Sequence, residues 1–138
     1  MNVKNINRLF LLDKPICLSF RQRACLFCIS FIFVIVYIVI YFVYRPYIYA
    51  NNIWDMHIAD SCSSFITMLA GVCFLYMVEK KQLLTPLGIV LLSEFTFILY
   101  EVVFSYTFDY YDVLSTLLGG YPAYLLLGFV LKKMKVCE

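Results

Sequence analysis

The run Ala24–Tyr44, ACLFCISFIFVIVYIVIYFVY, contains no charged residue. At about 1.5 Å of rise per residue, a helix of that length crosses the ~30 Å hydrocarbon layer of a bilayer. Only helices and closed barrels satisfy their backbone groups in lipid, so a run this apolar commits the chain to membrane helices. It exceeds the apolar stretch of a cleaved leader, and YIYA after it is a poor small-residue cleavage site, so it predicts an uncleaved anchor.

Three more apolar runs follow, near residues 58–78, 86–104 and 113–131. Thr85-Pro86 supplies a capping residue and a proline at the first helical position for the third. The chain is 64% hydrophobic over 138 residues, more apolar side chain than a soluble domain of that size covers with polar surface. The expectation is one all-α membrane domain over residues 1–138, a four-transmembrane-helix bundle with spans at about 24–44, 58–78, 86–104 and 113–131. The second connection, EKKQ, is short enough to make the second and third helices antiparallel neighbours.

Charge sets the direction. Lys4, Arg8, Lys14, Arg21, Arg23, Lys80, Lys81, Lys132, Lys133 and Lys135 fall on one side of a four-span arrangement, with Asp13, Glu79 and Glu138. The remainder holds Arg45 against Asp55, Asp60, Glu94, Glu101, Asp109 and Asp112. The excess of Lys and Arg predicts that the first side, with both termini, is cytoplasmic. Tyr41, Tyr44, Tyr47, Tyr49, Trp54, Tyr106, Tyr110 and Tyr111 gather near the other interface, where amphipathic rings prefer to lie. The basic face reads as topology plus attraction to anionic lipid, not as a nucleic-acid surface.

The acids within and beside the apolar runs are the candidate site. Glu94 is about 12 Å along its helix from Pro86, near the bilayer midplane, where a carboxylate must face the bundle interior, be protonated or pair. Glu101 lies two turns further on nearly the same face. Asp60, Ser63, Ser64, Thr67 and Gly71 form a polar and small stripe on the second helix, suited to packing or to lining the same pocket. Asp109 and Asp112 open the fourth helix, where an acid caps free N–H groups, Asp112 being the readier candidate. Ser115, Gly119 and Ala123 form a small-residue ridge there, Gly120 widens it, and Pro122 removes one backbone hydrogen bond beneath it.

The first outer loop, RPYIYANNIWDMHIAD, adds the single histidine, His57, beside Asp55 and Asp60. His57 with several carboxylates supplies the ingredients of a divalent-cation or proton-coupled site, although no cofactor is required. Cys25 and Cys28 form a CxxC with no second pair or nearby histidine, and the six cysteines mostly sit in apolar runs, so disulfides and zinc are not expected. No HExxH, GxSxG or P-loop pattern is present, and one Arg and one His are too few basic groups for ordinary phosphatase chemistry. An enzyme is therefore the less favoured reading.

Three segments resemble the VanZ-like family of small bacterial membrane proteins. WDMHIADSCSSFITMLAG carries Asp55 and His57, LSEFTFILYEVVF carries Glu94 and Glu101, and YTFDYYDVLSTLLGG carries Phe108, Asp109, Asp112 and Gly119. The family's motif Arg falls on Tyr106 and its Asn on Thr116. The resemblance implies a multi-pass protein of the bacterial cytoplasmic (inner) membrane, with some relatives linked to tolerance of the glycopeptide antibiotic teicoplanin. The resulting expectation is a cell-envelope protein whose outward acidic pocket (Asp55, His57, Asp60, Glu94, Glu101, Asp109 and Asp112) binds a ligand, lipid headgroup or cation. The rivals are a metal- or proton-coupled small transporter, an intramembrane enzyme, or an assembly subunit. In the last, the ridges Ser63, Thr67, Gly71, Ser115, Gly119, Gly120 and Ala123 would join a second copy or another membrane protein.

Overall fold

A computed structural model of the chain describes residues 10–104 and 109–133, apart from the side chains of 13–15, 104 and 133. Lys4, Arg8, Tyr106, Phe108, Lys135 and Glu138, named above, lie outside the described residues.

Four helices carry the fold: α1, Phe20–Ala50; α2, Ile58–Val78; α3, Pro86–Phe104; and α4, Tyr110–Lys133. Each is long and apolar enough to span a bilayer. The second and third match the spacing-based expectation closely. The first is longer at both ends. It starts at Phe20 because Ser19 and Gln22 form a reciprocal capping box, Ser19 Oγ accepting from the Gln22 N–H and Gln22 Oε1 from the Ser19 N–H. It continues past Tyr44 through a π-helical turn, Ile40–Tyr44, into a last α-helical segment, Arg45–Ala50. Pro46 lacks an N–H and its ring crowds the carbonyl four residues back; the wider turn just before it lets the helix proceed.

The α3 start is as expected: Thr85 Oγ1 accepts from the Gly88 N–H at 2.9 Å. A feature not anticipated from sequence lies beside it. Strand β1, Leu11–Ile16, pairs antiparallel with β2, Gln82–Leu84, with Leu11 opposite Leu84 and Ile16 opposite Gln82. The Thr85 N–H donates to the Phe10 carbonyl at 2.9 Å. A Cβ on Gly88 would stand 2.5 Å from that carbonyl oxygen, so glycine is what lets the chain cross the α3 start. This sheet ties the segment before α1 to the α2–α3 connection, so both lie at the same end of the bundle.

Helices α2 and α4 form the central pair, with α1 against α2 and α3 mainly against α4. Leu26, Met68, Leu69, Val72, Cys73, Tyr76, Ala123 and Leu127 make the buried core. Ser30, buried on α1, donates to the Ala70 carbonyl of α2 at 3.0 Å, a polar tie of the kind that holds membrane helices together. Gly119 sits where α4 crosses α2, and Ser115 and Ala123 one turn to either side are buried. The outer faces are apolar and exposed, including Phe27, Phe31, Phe42, Phe95 and Phe129, as contact with lipid tails requires. Cys17, Cys25, Cys28, Cys62 and Cys73 are free thiols.

Candidate functional site

The polar end of the bundle lies opposite the β1–β2 sheet, where α2 and α4 begin and α3 ends. The sequence grouped seven acidic or imidazole side chains there; the structure distributes them among three places.

Asp55, His57 and Asp60 border a cavity of about 330 Å³ beside the α1–α2 connection. Asp55 caps α2, its Oδ2 accepting from the Ala59 N–H at 2.7 Å. Met56 and His57 both have positive φ, 57° and 63°, an uncommon conformation for residues other than glycine. The cap and a stack of the His57 ring on Tyr111, centroids 4.7 Å apart, hold that turn. Asp60 is engaged by α1: Arg45 Nη2 lies 2.9 Å from its Oδ1, and the Tyr49 hydroxyl donates to the same atom at 2.6 Å. The Arg45 guanidinium also lies over the Tyr41 and Tyr49 rings. This group therefore joins α1 to α2. Asp55→Ala is expected to cost about 1 kcal/mol of stability, with Asp55→Asn recovering most of it, as thermal unfolding in detergent would show.

Glu94 stands apart. Its carboxyl occupies the space that a side chain at Gly120 would fill, beside Val90, and has no hydrogen-bond partner among the described residues. It does not line the cavity that holds Glu101, so the two acids of α3 belong to different surroundings.

Glu101 and Asp112 do come together. A cavity of about 170 Å³ lies among all four helices, bordered by Tyr37 of α1; Ser63, Ser64 and Thr67 of α2; Phe97, Ile98, Tyr100 and Glu101 of α3; and Asp112, Val113 and Thr116 of α4. Asp109 is at its rim: its N–H donates to Glu101 Oε1 at 3.4 Å, and its own Oδ1 caps α4 by accepting from the Tyr111 N–H at 2.8 Å. The cap is thus Asp109. The Asp112 carboxylate instead bridges helices, accepting from Ser64 Oγ at 2.9 Å.

Tyr37, Ser63, Ser64, Thr67, Tyr100 and Thr116 bring hydroxyls to this cavity, and three of them have a fixed direction. Ser63 Oγ donates to the Asp60 carbonyl at 2.7 Å, Thr116 Oγ1 to the Asp112 carbonyl at 2.9 Å, and Ser64 to the Asp112 carboxylate. A carbonyl can only accept, so the hydroxyl hydrogens of Ser63 and Thr116 are committed to it and their lone pairs are left to face outward. With two carboxylates added and no Lys, Arg or His on the walls, the lining is rich in acceptors. Among the described residues, no three His, Cys, Asp or Glu side chains converge as a divalent metal site would require. Such an enclosure favours a small group that carries positive charge and N–H or O–H donors.

Thr116 and Tyr37 were not among the sequence-derived pocket residues. Ser63, Ser64 and Thr67, from the polar stripe of α2 read as packing or as pocket lining, do border the cavity with Glu101. Thr116, one turn beyond Asp112, was marked only as a departure from the family motif, and Tyr37 lay within the run read as an uncleaved membrane anchor.

No known protein family, curated protein or solved structure matches this chain. What the sequence and structure establish together is a four-span helical membrane protein.

Proposed function

We propose that the chain is a VanZ-like envelope protein of the bacterial cytoplasmic membrane, with both termini inside, and that its Glu101–Asp112 cavity binds a cationic, hydrogen-bond-donating ligand without transforming it. The observation that carries this reading is the lining: two carboxylates from different helices, no basic side chain, and three neighbouring hydroxyls, Ser63, Ser64 and Thr116, whose hydrogens are already used. An anionic headgroup would meet two like charges there and no cation. The uneven distribution of Lys and Arg supports the direction, and the three sequence segments support the family resemblance and its link to glycopeptide tolerance.

Ethylammonium serves as a minimal probe. At matched ionic strength it should raise the unfolding temperature of the purified protein above that seen in sodium chloride, as a ligand bound only by the folded state does. Glu101→Gln and Asp112→Asn should each remove most of that shift, whereas Asp55→Ala should keep it. Equal responses in ethylammonium and sodium would count against the reading. In the bacterium, loss of the same two carboxylates should change teicoplanin tolerance at unchanged protein level.

A further inference from the structure

Two polar side chains are out of place on a lipid-facing surface. Tyr121 is 69% exposed halfway along α4, where no water reaches its hydroxyl; tyrosine in membrane helices favours the interfaces. Glu94 lies at the same depth, because its carboxyl rests on Gly120, the residue before Tyr121. It stands between buried Ser93 and exposed Phe95, partly buried itself, at the edge of the α3–α4 contact. Neither Glu94 nor Tyr121 has a hydrogen-bond partner among the described residues. A polar group left unpaired against hydrocarbon is costly.

Both groups belong to one face. Gly119 meets the α2 backbone and Gly120 meets Glu94 of α3, so Tyr121, about another 100° round the helix, is turned away from α2. Leu117 of α4 and Phe95 and Val102 of α3 complete this face with exposed apolar side chains. The small-residue ridge of α4 is not on it, since Ser115, Gly119 and Ala123 are buried within the bundle.

We propose that this α3–α4 face pairs two copies of the chain, the Tyr121 hydroxyl of each donating to the Glu94 carboxyl of the other. Symmetry selects a second copy. Helices α3 and α4 run side by side in opposite directions, with the acceptor on one and the donor on the other at one depth. A two-fold axis along the membrane normal, through the seam between them, sets α3 of one copy against α4 of the next and preserves depth. Both hydrogen bonds then form together, enclosed by the apolar side chains of the face. A lipid tail supplies neither donor nor acceptor. This interface is separate from the Glu101–Asp112 cavity and does not depend on its ligand.

The test counts copies per particle by single-molecule photobleaching of the full chain in liposomes, as the protein-to-lipid ratio is lowered. The wild type should be dimeric and should dissociate on dilution. Tyr121→Phe and Glu94→Leu should each weaken the pair at least about fivefold, through loss of two interhelical hydrogen bonds. Tyr121→Phe removes a single oxygen from an exposed position, so it does so without threatening the fold. Glu94→Gln keeps an acceptor and should stay within about twofold of wild type. Leu117→Trp should weaken pairing, whereas Ile35→Trp, on the exposed face of α1, should not. The decisive sample mixes Glu94→Leu copies with Tyr121→Phe copies in two colours. Only a mixed pair retains one Tyr121–Glu94 bond, so mixed pairs should exceed the random proportion. A monomer at every ratio, or pairing weakened by Ile35→Trp and not by Tyr121→Phe, would overturn the proposal. So would mixed pairs at the random proportion, which would place the Tyr121–Glu94 contact within one chain.

Discussion

Gly119→Leu is expected to lower the stability of the bundle by about 2–3 kcal/mol, the upper range for forcing bulk into a packed interface. A Cβ at this position would stand 2.9 Å from the Phe65 carbonyl oxygen and 3.2 Å from the Met68 Cβ. The first is α2 backbone and the second is fixed to it, so neither yields without separating the central helix pair. Gly120, the next residue, would instead meet the flexible end of Glu94, which can move aside. Gly128, on the same helix, has nothing within 4 Å of its would-be Cβ, so Gly128→Leu supplies the matched control and should lose no stability. Thermal unfolding of the two variants in detergent checks the contrast. Equal unfolding temperatures would mean that α2 and α4 do not approach closely at Gly119.

Arg23→Met is expected to cost about 2 kcal/mol, with Arg23→Lys recovering less than half. The last carbonyls of a helix have no partners of their own. Here the guanidinium of α1 reaches across to the end of α2, with Nη1 2.6 Å from the Met77 carbonyl and Nη2 2.8 Å and 3.2 Å from those of Glu79 and Lys80. Fully buried Gln82 completes the cap, its Nε2 donating to the Tyr76 and Glu79 carbonyls at 2.6 Å and 3.1 Å. A cation at a helix C-terminus also favours the macrodipole. A lysine brings one charge point rather than a fork and cannot serve three carbonyls in the same geometry. Hydrogen exchange at the α2–α3 connection should rise in Arg23→Met; unchanged protection and unfolding temperature would leave the cap without energetic weight.

These contacts show which part of the molecule could be read in advance. The spans were legible because hydrocarbon imposes length and apolarity directly on sequence, and α2 and α3 begin and end where those runs do. The extent of α1 was less legible. Arg23 and Arg45 look like interfacial stops, yet each is absorbed by another helix, Arg23 by the α2 carbonyls and Arg45 by Asp60. The β1–β2 pairing depends on two short segments far apart in sequence, and neither alternates in hydrophobicity strongly enough to announce a strand.

The site followed the same division. Composition and topology placed the acids at one end of the bundle, but which of them meet depends on helix rotation and on competition for partners. Asp60 faces α1, Asp109 closes its own helix, and Glu94 lies deeper against Gly120, so of the seven only Glu101 and Asp112 line the central cavity. Ser64, which the sequence left open as packing or pocket lining, donates to the Asp112 carboxylate.

The most direct measurement is an experimental structure of the protein in a bilayer mimic containing ethylammonium. The account predicts density for the ammonium in the cavity, with its nitrogen about 2.7–3.1 Å from carboxylate oxygens of both Glu101 and Asp112. A cavity whose contents are the same with and without ethylammonium, the two carboxylates bonded only to Ser64 and the Asp109 backbone, would contradict it.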